Sequence, residues 1–191
     1  MKESMKKLVI VLEEKKQQLF GSLVEQVKTA AKALDMETLY FLQRDNESSH
    51  TYEQLRNMDA DYLVSFDMAG FEMSTLTEDS AYNLLYAKQI HILFQNDQKY
   101  RRYLQQDLAM NLFLFIGDEC LFKQYKQEYP HILNLEAMPP LALGEKLTEE
   151  QQSKNGEVLR WVIEKVYNEI ETAGILKDRL FETSGLCALD K

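Results

Sequence analysis

The chain predicts an α/β fold: a three-layer αβα sandwich around a mainly parallel sheet of five or six strands. Three observations carry this. Short apolar runs alternate with amphipathic segments about every 20–30 residues, the pattern of consecutive βα units. The runs are continuous rather than alternating, as suits strands covered on both faces. Two of them, Tyr62–Phe66 and residues 90–94, stop abruptly in polar residues, Asp67 in one case and Gln95-Asn96-Asp97 in the other. Open parallel sheets keep their sites at the carboxyl ends of such strands.

Taken in order, residues 8–12 (LVIVL) form the first strand. A helix follows from Glu13-Glu14 to about Leu34, with Phe20, Leu23, Val24, Val27, Ala30 and Ala31 at helical spacing. Lys15, Lys16, Glu25, Lys28 and Lys32 mark its solvent side. Gly21 inside it costs roughly 1 kcal/mol relative to Ala, for which close packing on a strand is the expected reason. Residues 38–42 (TLYFL) are the second strand and 43–50 a loop. Ser49 or Thr51 is placed to cap a short helix ending near Asn57. After the strand Tyr62–Phe66, the turn Met68-Ala69-Gly70-Phe71 has Gly70 as its natural positive-φ position.

A short helix over about 78–88, capped by Thr77, leads to the fourth strand at 90–94. A helix over 97–110, a fifth strand at Leu112–Ile116 and a helix over 119–129 come next, and Pro130 stops the last. Residues 132–135 form a sixth strand. Beyond Pro139-Pro140 the chain is helical from Thr148 to about Phe181, with Thr148 and Gln151 spaced as a capping box. Gly156 and Gly174 divide this stretch into two or three helices. Residues 1–146 are thus a Rossmann-like domain of flavodoxin-like strand order, near 2-1-3-4-5 with the sixth at the edge. Residues 147–191 are a helical extension that packs on it or on a partner.

The 191 residues carry 31 acidic and 22 basic side chains, a net charge of −9. That balance disfavours nucleic acid and anionic membrane surfaces as partners. No run approaches the roughly 20 apolar residues of a membrane span. The apolar run near the N-terminus is shorter than the ~7–15 residues of a signal core. Two cysteines, Cys120 and Cys187, make no disulfide framework. A cytoplasmic protein is expected.

The turn after the first strand reads LEEKKQQL, with two carboxylates and no glycine, so it holds neither a Rossmann fingerprint nor a phosphate loop. No cofactor is implied. No His or Cys has metal-ligand spacing, and no metal is implied either. The acids Glu13, Glu14, Asp67, Asp97, Asp118 and Glu119 fall at carboxyl ends of strands. Glu13, Glu14 and Asp67 resemble the acidic pocket of a response-regulator receiver. Gln95-Asn96 stands where the receiver has a hydroxyl residue, however, and Asp118 where it has lysine, so nothing would pair a phosphoryl group. His91, inside an apolar run, reads as a hydrogen-bonded core residue. The tyrosines at 82, 86, 100, 103, 125 and 129 read as sheet-packing side chains with hydroxyls at the rim.

The segments Asp67-Met68-Ala69-Gly70, 91–97, 125–130 (YKQEYP) and Met138-Pro139-Pro140, with the apolar runs between them, resemble the N-terminal half of bacterial GT-B-type glycosyltransferases, the spore-maturation CgeB-like group, over about residues 5–143. The resemblance implies a sugar or sugar nucleotide as ligand. It also implies that this domain does not catalyse alone, because in that family a second Rossmann-like domain holds the donor. Glu13, Asp67, Gly70, His91, Asn96 and Asp118 are the candidate cleft residues. The alternative is a non-enzymatic interaction protein, a homodimer through the C-terminal helices around Trp161, motivated by the apolar face over 158–170.

Overall fold

A computed structural model describes residues 5–44, 50–71, 82, 85–105 and 110–183, with side chains at all of these except 50–52, 98, 99, 102 and 170–183. The elements run β1 (Lys7–Glu13), a 3-10 turn (Glu14–Lys16), α1 (Gln17–Ala33), β2 (Glu37–Gln43), α2 (His50–Asn57), β3 (Tyr62–Phe66) and β4 (Lys88–Leu93). They continue with α3 (Gln98–Leu104), β5 (Leu112–Ile116), α4 (Glu119–Glu128), β6 (Leu135–Ala137) and α5 (Glu149–Thr183).

The six strands form one sheet in the order β2-β1-β3-β4-β5-β6, and every neighbouring pair is parallel. The expected α/β architecture and flavodoxin-like order are therefore observed. After β1 the chain moves outward to β2 and then returns to the other side of β1 as β3. This reversal makes the carboxyl ends of β1 and β3 the topological switch point, where open sheets of this kind bind their ligands.

Strand alternation sorts the core into two clusters. Leu8, Ile10, Leu12, Val64, Phe66, Ile92 and Phe115 meet α1 and α5. Val9, Val11, Leu63, Leu93, Leu114 and Ile116 meet the opposite layer, with Leu55, Tyr100, Tyr103, Leu121 and Tyr125. The α5 side chains Val158, Leu159, Val162, Ile163 and Val166 are buried in the first cluster, and Trp161 lies edge-on to Phe115. Through Val166, the apolar face that motivates a homodimer is covered by the domain itself. No described helix is long and apolar enough to cross a membrane.

Four local expectations are corrected. α5 is one helix of 35 residues, not two or three. Gly156 lies inside the unbroken helix, where an added Cβ would meet the Gln26 amide of α1 at 2.6 Å from Oε1. At Gly21 an added Cβ meets nothing within 4 Å, so close packing does not explain it. The sixth strand is Leu135–Ala137 rather than 132–135. Ile132 sits in a turn, its N–H donating to the Tyr129 carbonyl, and its buried side chain is what made the run look strand-like.

The fourth strand starts at Lys88, where a helix end was expected; the rest of that helix and its Thr77 cap lie outside the described residues. The capping box opening α5 is present and reciprocal: Thr148 Oγ1 accepts from the Gln151 N–H at 3.2 Å, and Gln151 Oε1 accepts from the Thr148 N–H at 3.0 Å.

Candidate functional site

The carboxyl rim is built around the turn that ends β3. Asp67 and Met68 both adopt left-handed backbone, with φ of 49° and 52°, and Gly70 follows at 89°. The Ala69 N–H closes the turn on the Phe66 carbonyl at 3.1 Å. Consecutive left-handed residues without glycine are strained by roughly 1–3 kcal/mol each and persist only where neighbours hold them. Here the Asp67 N–H donates to the Ile92 carbonyl at 2.8 Å. The Gly70 N–H donates to Gln43 Oε1 at 2.6 Å, and the Tyr82 hydroxyl donates to the Ala69 carbonyl. Met68 is wholly buried.

This turn places a buried carboxylate at the carboxyl ends of β1 and β3. Asp67 Oδ1 accepts from the Phe94 N–H at 3.0 Å. Oδ2 accepts from the Gln95 amide at 3.1 Å and lies 3.5 Å from Lys16 Nζ. The same ammonium is 3.7 Å from Glu13 Oε1 at the end of β1, so Lys16 sits between the carboxylates of the two switch-point strands. Burial pushes the Asp67 carboxyl above the usual carboxylate range. The Phe94 N–H and Lys16 act against that, and the Glu13 charge adds to it.

Two tyrosines close the rim from α3 and α4. Burial, followed by the charges of Asp67, Glu13 and Asp97, holds the Tyr100 phenol protonated. Burial pushes the Tyr125 phenol up to about 12, and its hydroxyl donates to Asn96 Oδ1 at 3.3 Å.

Glu13, Asp67 and Gly70 thus share one rim, joined through Lys16 and Gln43, and Asn96 lies at its edge with Tyr125. Two other candidates do not line it. His91 is fully buried within β4: its Nδ1 is 2.6 Å from Ser65 Oγ, and its ring packs against Tyr82 with centroids 4.8 Å apart and the planes tilted by 56°. Burial alone lowers its pKa to about 3, so the ring is neutral. Asp118 is the exposed N-cap of α4, accepting from the Leu121 N–H at 2.6 Å. Among the described residues no three His, Cys, Asp or Glu side chains converge as a metal site.

Sequence reasoning missed Lys16, Gln43, Gln95 and the role of Tyr82. Helical spacing places Lys16 on the solvent side, but its side chain is only 17% exposed. It belongs to the 3-10 turn, whose side-chain phase differs from that of the α-helix behind it.

No known family model matches this chain, and no curated protein matches its sequence.

Proposed function

We propose that this chain is a glycosyltransferase-like α/β domain that binds a sugar or sugar nucleotide at the carboxyl rim of β1, β3 and β4. One observation carries the reading. Asp67 is a buried carboxylate, held in left-handed backbone at the topological switch point, with a cation and two amide donors around it. Strain concentrated where open α/β sheets bind ligands supports a binding role.

The chemistry suits a polyhydroxylated ligand. Glu13 and Asp67 would accept from vicinal hydroxyls, Asn96 and Gln95 would donate and accept, and Lys16 would meet an anionic group. The described residues form a single sheet with one such rim. Transfer would then need a donor-binding domain that has no counterpart among them, so the proposed activity here is binding.

Thermal unfolding with a panel of nucleoside-diphosphate sugars and free monosaccharides tests this. A ligand at a hundred times its Kd should add about 2.7 kcal/mol of stability. Asp67→Asn should abolish that gain while leaving the circular dichroism spectrum unchanged. If no member of the panel stabilises the wild-type protein, the proposal is wrong.

A further inference from the structure

The second edge of interest is the outer side of β2. This strand pairs with β1 over all seven residues without a bulge, and among the described residues no strand lies beyond it. The Glu37 N–H donates to the Lys6 carbonyl, so positions 37, 39, 41 and 43 turn their backbone toward β1. By alternation, Thr38, Tyr40 and Leu42 direct their N–H and C=O groups outward. Natural sheets guard such edges with Lys, Pro, bulges or a covering element. None of those residues occurs within β2, and its only charge is Glu37 at the first position.

The side chains along this edge are also apolar and open. Tyr40 is 39% exposed and Leu42 37%. They border a groove of about 270 Å³ between β2 and α1, with Leu12, Gly21 and Val24 on its other walls.

We propose that this edge is the interface for a second copy of the chain. The two β2 strands pair antiparallel about a twofold axis at Tyr40, joining two six-stranded sheets into one. The self-complementarity of the strand singles out this occupant. About that axis Tyr40 meets Tyr40, Thr38 meets Leu42, Leu39 meets Phe41 and Glu37 meets Gln43, so the three outward residues face one another and no like charges oppose within the strand pair.

The flanking helix continues the match. Lys28 Nζ sits 4.8 Å above the Tyr40 ring, so α1 passes the axis near Lys28, whose ammonium faces its own copy there and is balanced on each side by Glu25 at 2.8 Å. Two antiparallel α1 helices crossing at that height bring Glu25 of each beside Lys32 of the other. Glu25 lies on the exposed side of α1, where it accepts from Lys28 at 2.8 Å, and Lys32 is exposed in the last turn. A strand pair alone is smaller than the ~1,200 Å² of a stable interface, so the contact has to include α1.

Light scattering on the full chain at tens of micromolar tests the proposal. The wild type should have twice the monomer mass. Tyr40→Pro removes an outward N–H without touching the β1 ladder, and Leu42→Lys places a charge at the edge; both should give folded monomers. Glu25→Lys or Lys32→Glu alone should raise the dimer dissociation constant about fivefold, and the double reversal should restore it. These helix variants leave the strand untouched and decide the question if a strand variant fails to fold. A monomeric wild type overturns the proposal. So does a dimer that survives the folded strand variants, or one that ignores the single charge reversals. Pairing with a strand of a different protein would show as a monomer that forms a heterocomplex lost in Tyr40→Pro, and would equally overturn it.

Discussion

The two faces of the sheet are built from the same strands but differ in chemistry. The face under α1 and α5 is filled by Leu, Ile, Val and Phe, with Tyr62 stacked on Tyr167. The opposite face carries the buried polar side chains of the strands: Glu13, Ser65, Gln89 and His91, all at odd-numbered positions. Two residues beyond Ser65 on that same side comes Asp67. The polar ladder therefore runs directly into the rim. It is also tied to it, because Tyr82 packs against His91 and donates to the Ala69 carbonyl of the strained turn. One face supplies burial, which is non-directional. The other supplies hydrogen bonds, which are directional and can hold a backbone in a conformation it would otherwise leave.

The comparison breaks if the apolar face is not the main source of stability. Phe115 is fully buried against Trp161 on that face. Phe115→Ala should cost about 3–5 kcal/mol in urea unfolding, the range for deleting a large buried side chain. It should leave ligand binding at the rim intact at temperatures where the variant remains folded.

The polar face should instead reveal itself through pH. His91 titrates near 6.5 when unfolded but near 3 when folded, because burial opposes its charge. Between those values the unfolded chain holds a proton that the folded chain does not, so stability is present above about pH 6.5 and lost as the pH falls toward 3. The slope is at most about 1.4 kcal/mol per unit. From pH 7 to pH 5 this residue should account for a loss of about 2 kcal/mol. Asp67 works in the other direction: its raised carboxyl holds a proton longer in the folded state, so its contribution falls as pH rises above the ordinary value of 3.8. Comparing wild type with His91→Gln removes the Asp67 term. Equal pH slopes for the two proteins would show that His91 is not buried neutral.

This division of labour also decides what was legible in the sequence. β3 and β5 occupy the residues their continuous apolar runs mark out, and the strand order follows from the alternation of elements. Burial on both faces leaves a pattern that survives without coordinates. The polar face left a fainter trace: Gln89 and His91 are two apart, which places them together on one side of β4, although either alone reads as an isolated exception in an apolar run. The rim was legible in part. Asp67 and Gly70 announced themselves at the end of a strand. The left-handed Met68 did not, because methionine carries no turn signature and its conformation is imposed by contacts distant in sequence, from Gln43 and Tyr82. Lys16 was lost because a 3-10 turn shifts the phase of the helix that follows it.

The finest test lies on the apolar side, in two helical glycines that sequence alone cannot tell apart. Gly21 and Gly156 both sit within helices, where Ala would be favoured by about 1 kcal/mol. At Gly21 a Cβ enters open space, so Gly21→Ala should recover most of that 1 kcal/mol. At Gly156 the same atom lands 2.6 Å from Gln26 Oε1, the far end of a flexible side chain on α1, which must turn away. Gly156→Ala should therefore gain less than Gly21→Ala, with the difference recovered when Gln26→Ala is added. Paired urea unfolding curves measure this. Equal gains at both positions would mean that the Gln26 amide turns away without cost, so that Gly156 is not needed for α5 to pack on α1.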